Sequence, residues 1–427
     1  MEKIVNRLRT TIGSLAIGLS LLTTVCSKST PESSHATDNV PPPNNGVSND
    51  ASDHDGIVSD DAAVDSAVPI DPLPPPTNWK SVTPALGSSD QYVLMPEIAA
   101  AYVTPDGSTP YVVLVGSMTP RGGGSATPSY LVTIEQQALD SLAFGPAWQG
   151  VNASNSMSNS VSAFGPTASY SGNMLSIVWR NADSEVNGVT KTNGSWGAPF
   201  DLQGNTSQEG TLVTQNPRAV SPTFTMLIVG TNGGDLYWIQ PYPSVAYTVA
   251  DTWPFGNPFQ STRKPWLYGL AAAWTPKGLQ LFGVVKIRDA HQLFWLSCSV
   301  SNSCGTWSTA TQLLTDTDAG KVPAFDFNVQ SAPAAVWCGD RTIVVARDEL
   351  GNVWQTTSQD GSHWTAKESV GAIPGAMQKT ADAAAPLPPY PSPAMVSRTS
   401  TNTNICHYEI YITADDHTVW ETTATIP

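Results

Sequence analysis

Between residues 92 and 426 apolar and polar positions alternate in short runs, and scarcely any stretch repeats with a helical period. YVVLVGSM (111–118), MLSIVWRN (174–181), LQLFGVVKI (279–287), TIVVARDE (342–349) and HYEIYITAD (407–415) are rich in β-branched and aromatic residues. Gly, Pro, Asn and Asp bound them, so the pattern predicts strands and an all-β domain.

The strands come in a fixed series. A run of small residues opens each unit: PEIAAAYV, SAFGPTASY, NPRAVSPTF, YGLAAAWTP, SAPAAVWCG and SPAMVSRTS. A strong β run follows, then a third strand that often ends in an aromatic pair, as in DLYWIQ, HQLFWLS, GNVWQTT and DHTVWETT. Trp148, Trp196, Trp253, Trp307 and Trp364 open the last segment, at separations of 48, 57, 54 and 57 residues. Four strands every roughly 50 residues is the period of a β-propeller blade. Small side chains in the first strand fit the crowded centre of such a ring.

Six units are countable, and the sixth ends without its closing Trp segment. TNWKSVTPALG, residues 77–87, has the character of that missing piece, so the strand around Trp79 is expected to complete the last blade and remove the exposed edges. The expectation is six four-stranded blades over residues 76–427; a seventh would have to lie within 118–148, where the first unit is poorly patterned.

Composition adds a destination. Lys3, Arg7 and Arg9 precede an apolar run from Ile12 to Val25 that ends at Cys26. A basic start and an apolar run shorter than a membrane span, about 20 residues, are the layout of a secretory signal. Cys26 directly after the run resembles the lipobox of bacterial lipoproteins, which implies a lipoprotein-type signal over residues 1–26 with Cys26 lipidated as the mature N-terminus and, with Ser27 and Lys28 following, an outer-membrane address; a plain secreted protein or an uncleaved anchor is the alternative. Residues 27–75 carry eight Asp and one Glu against one Lys and hold almost no large apolar residue. Such a segment reads as a disordered tether. The chain has 35 acidic and 20 basic residues, net charge −15, which argues against nucleic acid as a partner.

With Cys26 set aside, Cys298, Cys304, Cys338 and Cys406 make an even number in an oxidising compartment. Cys298 and Cys304 flank a short loop and are expected to pair, leaving Cys338 with Cys406. No His or Cys spacing suggests a zinc site, and no cofactor or metal is expected. Asp53-His54-Asp55-Gly56 lacks the first and last carboxylates of a calcium loop.

Catalytic signatures are sparse. No HExxH or G-x-S-x-G occurs, and Ser358-Gln359-Asp360-Gly361-Ser362-His363-Trp364 is one residue short of a sialidase-type Asp-box. Asp360-Gly361 reads instead as a hairpin turn. A different register recurs: Arg288 and Arg347 stand seven residues before Trp295 and Trp354, Thr231 stands so before Trp238, and Arg180 ends the second strand of its own unit. One reading is structural, with Asn or Asp starting the turn, Arg capping the hairpin and Trp packing between blades. The other places Arg and an aromatic ring in shallow sugar sites around one rim, since guanidinium donors suit hydroxyl pairs and rings stack on the C–H face of a sugar.

The units SAPAAVWCGDRTIVVARDELGNVWQTTSQDGSHWTAKESVG and SPAMVSRTS with EIYITADDHTVWETT resemble the repeats of bacterial and fungal propeller lectins, the fucose-binding and PLL-type lectins. The Asp-Gly that precedes the third strand in that family is replaced here by GGD, AHQ, LGN and DHT. The resemblance implies metal-free carbohydrate binding at blade rims or between blades, with an Arg, a Glu and a Trp per site. Arg347, Glu349 and Trp354 form the only local set of that kind; Arg288, Trp295, Trp238, Arg180 and Trp420 occupy related positions in other units. The expected function is a surface or secreted carbohydrate-binding propeller whose partners are glycans or glycoconjugates. A propeller scaffold that binds protein is the alternative, and a glycosidase, sialidase-like enzyme or lyase the further one. A binding protein is favoured over an enzyme.

Overall fold

The computed structural model describes residues 78–83, 91–106, 109–122, 129–137, 143–151, 165–171, 173–180, 186–201, 218–219, 227–230, 236–239, 267–287, 290–299, 308, 310–317, 320–374, 390–399 and 405–426. The signal, Cys26, the tether, Arg288 and Cys304 lie outside them.

Six antiparallel sheets follow one another along the chain. Blade one has strands Ala99–Val103, Tyr111–Pro120, Tyr130–Glu135 and Gln149–Gly150, with Tyr92–Leu94 paired to the far end of the second. Blade two has Thr167–Ser171, Met174–Arg180, Val186–Thr192 and Ser195–Trp196, and Phe200–Asp201 also pairs with its third strand. Blade three shows three strands among the described residues, Arg218–Ala219, Leu227–Gly230 and Leu236–Ile239. Blade four has Leu267–Thr275, Gly278–Ile287, Ala290–Ser299 and Thr311–Gln312. A two-stranded ribbon, Leu314–Thr317 with Gly320–Pro323, leads on to blade five: Ala334–Cys338, Arg341–Arg347, Val353–Ser358 and Glu368–Gly371. Blade six has Ala394–Thr399, Cys406–Thr413 and Val419–Ile426, and its fourth strand is Lys80–Ser81.

The first strands of successive blades touch in order from one to six, and that of blade six touches that of blade one. The described residues therefore form a closed β-propeller of six sheets, as the repeat predicts. Residues 118–148 hold the second and third strands of blade one and the Gln136–Phe144 bridge; no further blade appears there among the described residues. The N-terminal strand closes the ring as expected: Lys80 stands opposite Glu421, Ser81 opposite Trp420, and the Trp79 indole donates to the Val370 carbonyl at 3.1 Å.

Ala99, Ala168, Ala271, Ala334 and Ala394 line a central cavity of about 100 Å³, which is why the first strand of each unit is built from small residues. Apolar layers fill the spaces between blades. Phe282, Val284 and Leu293 of blade four meet Val344, Ala346 and Trp364 of blade five. Ile343 and Val345 meet Tyr408, Ile410 and Ile412 across the next gap, beside Trp79 and Trp420. Trp196 and Trp148 pack against the layers on either side of blade one, and Trp364 lies in the layer between blades four and five, so at these positions the recurring Trp is a wedge between blades; Trp253 and Trp307 lie outside the described residues.

Cys338 and Cys406 form a disulfide between blades five and six, as expected, with Cα atoms 5.4 Å apart. Cys298 is also disulfide-bonded.

Gly269 marks one close approach. It sits at a register shift in the first strand of blade four with φ +67°, and a Cβ there would lie 2.5 Å from that of Ala332. Gly269→Ala is expected to lower stability by about 2 kcal/mol through strain and overpacking. Denaturant unfolding tests this, and an unchanged midpoint would show that the entry segment of blade five yields without cost.

Candidate functional site

Neighbouring strands are antiparallel, so turns between first and second strands and between third and fourth strands share one rim. Turns between second and third strands occupy the opposite rim, with the connections between blades. The residues singled out by sequence fall mainly on this second rim.

Arg347 ends the second strand of blade five and is 1% exposed. Its Nε donates to the Gly351 carbonyl and its Nη1 to the Pro391 carbonyl, each at 3.1 Å, and its guanidinium lies 5.1 Å from the Tyr390 ring centroid. Burial lowers its pKa to about 10, although Glu97, Tyr390, Asp348 and Asp415 favour the cation. Arg347 thus ties the blade-five turn to the entry of blade six. The expectation of a solvent-facing Arg, Glu and Trp cradle is corrected at its first member, because a guanidinium sealed from water and bonded to two carbonyls does not present donors to a sugar.

Asp348 organises the turn. Its Oδ1 accepts from the backbone of Leu350 and Asn352 at 2.9 and 2.8 Å, and its Oδ2 accepts from the Trp354 indole at 2.9 Å. Trp354 is half-buried, with the Lys367 ammonium 4.8 Å from its ring centroid and Phe327 beside it. Glu349 is exposed, and its carboxylate accepts from the backbone of Asn328 at 2.9 Å. Trp295 packs edge-on against buried Trp364, and Trp420 joins the layer between blades five and six. Arg180 and Trp238 lie on the second strand of blade two and the third strand of blade three. The turn reading of Asp360-Gly361 agrees with the geometry: Gly361 has φ +83°, and Asp360 accepts from the backbone of Ser362 and His363 at 2.7 and 2.8 Å. Burial opposes ionisation of Asp360, but bonds from His363 and Ser362 outweigh it and hold the carboxyl below its usual range.

The other rim holds a site that sequence reading missed. Between blades one and two lies a pocket of about 260 Å³, lined among others by Asp106, Tyr111, Tyr170, Asn173 and Lys191. Three turns and the strands that flank them position it. Pro105 and Asp106 follow the first strand of blade one, and Tyr111 starts its second. Tyr170 nears the end of the first strand of blade two; Asn173, at φ 63°, turns the chain into the second. Lys191 is on the third strand, beside a two-residue hairpin in which Asn193 and Gly194 have φ 50° and 80°; Asn-Gly suits such a turn because both positions need positive φ.

Asn173 links the two walls. Its Oδ1 accepts from the Tyr170 hydroxyl at 2.9 Å and from the Asp106 backbone at 3.2 Å, while its Nδ2 donates to Oδ2 of Asp106. Lys191 donates to Glu135 at 2.6 Å and lies 5.6 Å from the Trp196 ring centroid. Burial, then the charges of Glu135 and Tyr170, raises the Tyr111 pKa; burial, then Asp106, raises that of Tyr170. Both phenols therefore stay protonated; the Tyr170 hydroxyl donates to Asn173, and that of Tyr111 can donate to a ligand. Two rings, two hydroxyls, a carboxylate and an amide around a cavity just below the roughly 300 Å³ of drug-sized sites suit one small polar ring with an apolar face.

No family model and no curated protein matches the chain. Solved structures of similar shape include AofleA from Arthrobotrys oligospora, at 12% identity and TM-score 0.46, covering 79% of this chain and 88% of that one. The fucose-specific lectin from Aleuria aurantia has the same identity and TM-score, covering 79% of this chain and 96% of that one. A sialidase from Trypanosoma rangeli stands at 11% and 0.45, covering 77% of this chain and 55% of that one. Likeness of this degree leaves the ring of sheets as the ground for the fold and carries nothing about what the chain binds.

Proposed function

We propose that this protein is an exported, lipid-tethered propeller that binds glycans in the pocket between blades one and two. The carrying observation is that Tyr111 and Tyr170 share a cavity of about 260 Å³ with Asp106, Asn173 and Lys191, at a rim built from short turns. Aromatic faces offer stacking to the C–H face of a sugar, the Tyr111 hydroxyl offers a donor, and the phenol and carboxylate oxygens offer acceptors to its hydroxyls. The chain's charge of −15 and its acidic tether fit a surface role better than a nucleic-acid one.

The test is a glycan array probed with the full-length chain and with Tyr170→Ala. Wild type is expected to bind a subset of sugars, and the variant about tenfold more weakly, the loss that one stacking ring of about 1.4 kcal/mol gives. Near-UV circular dichroism separates a lost contact from a lost fold. A wild-type protein that binds no glycan on the array removes the proposal.

A further inference from the structure

The charges around the pocket select among sugars. Three charged side chains bear on it: Asp106 and Lys191 line the cavity, and Glu135 stands behind Lys191. The charge of Lys191 is already paired, because its ammonium sits 2.6 Å from the Glu135 carboxylate and lies over the Trp196 ring. That leaves Asp106 as the charge a ligand meets.

Asp106 is exposed, and it is held rather than loose. Asn173 accepts from its backbone at 3.2 Å and donates to its Oδ2, so the amide is committed on both sides to this residue and Tyr170. No hydrogen bond among the described residues uses Oδ1 of Asp106. A carboxylate with an available oxygen next to two tyrosine rings is the chemistry that receives an ammonium group, by charge-assisted hydrogen bonding and by attraction to the ring faces.

We infer that the pocket prefers a hexosamine with a free, protonated amine over a neutral or N-acetylated sugar, and rejects uronic and sialic acids. The inference rests on the glycan-binding reading of the same pocket and names its ligand class. An acidic sugar would bring its carboxylate against Asp106, with the charge of Lys191 already paired to Glu135. A protonated amine would place its charge at Asp106 while its ring lies against tyrosine. A sugar amine titrates in the region of an α-amino group, about 8, so the preference should fade as pH rises through that value.

The probes are the methyl glycosides of glucosamine, N-acetylglucosamine and glucuronic acid, titrated calorimetrically into the full-length chain at pH 6 and pH 9. Single sugars avoid the general attraction of an acidic protein for polycations. Methyl glucosaminide is expected to bind tightest at pH 6 and to lose about tenfold at pH 9. Asp106→Asn should impose a similar loss at pH 6 and weaken N-acetylglucosaminide binding much less, so that the gap between the two sugars closes. Equal affinity for the amine and its N-acetyl form, a preference for glucuronide, or a glucosaminide affinity that neither pH nor Asp106→Asn moves would each overturn the inference. If none of the three binds while the array is positive, this inference falls and glycan binding stands; a blank array removes the parent reading.

Discussion

Unfolding of a Cys338→Ala/Cys406→Ala variant is expected to need about 4 kcal/mol less than wild type, and reducing agent should impose at least that loss on wild type, because it also opens the disulfide at Cys298. The disulfide spans 68 residues and joins the end of the first strand of blade five to the start of the second strand of blade six. Closing a loop of that size restricts the unfolded chain by an entropy worth about 4 kcal/mol at 25 °C. Both sulfurs are buried in the layer with Ile343, Val345 and Tyr408, so alanine is the less disruptive replacement. The effect should be felt at ring closure, because blade six also receives the N-terminal strand. Urea unfolding with and without reductant measures it. A loss under 1 kcal/mol in both arms would mean that the covalent link does not limit the unfolded ensemble.

The blade repeat was legible because each unit must solve the same packing problem. A first strand rich in Ala has to face the central cavity, and a Trp has to fill the widening gap between blades; both leave a residue type at a fixed interval. The closing role of Trp79 followed from a unit that lacked its last strand. Arg347 shows where the pattern stops informing. An Arg before an Asp turn looks the same whether it caps a hairpin in water or is sealed beneath a connection, and what buries it is Tyr390 and Pro391, which arrive some 44 residues later. The pocket between blades one and two was hidden for a related reason. Its Asp106 and Asn173 are 67 residues apart and belong to turns of different blades, so no local spacing marks them. The Asn-Gly turn at 193–194 was the readable fragment. It marks a hairpin, and a hairpin alone does not say which neighbour it faces.

Stability should also fall as pH rises from about 4.5 to 8, through one carboxyl group. Glu421 lies on the third strand of blade six, opposite Tyr411 and the Lys80 of the closing strand, and is 2% exposed. Glu409, equally buried, already holds the available partners: the Tyr411 hydroxyl donates to it at 2.5 Å, and Arg398 Nε lies 3.6 Å away. Oε2 of Glu421 has no hydrogen-bond partner among the described residues. Burial first, and the Glu409 charge second, raise the Glu421 pKa to about 8 against an ordinary 4.5, with Lys80 and Arg398 opposing. The folded protein therefore carries a proton that the unfolded chain releases above 4.5. Its contribution is fully present below 4.5, declines by about 1.4 kcal/mol per pH unit through the window, and is gone above 8. Between pH 5 and 7.5 that amounts to about 3 kcal/mol. Glu421→Gln keeps the shape without the ionisation, so it should match wild type near pH 4.5 and exceed it by about 3 kcal/mol at pH 7.5. Urea midpoints of the two proteins across this range isolate the group, because every other carboxylate is common to both. Curves that run parallel would show that Glu421 ionises in the fold as freely as in the unfolded chain, and that the closing blade tolerates two buried charges side by side.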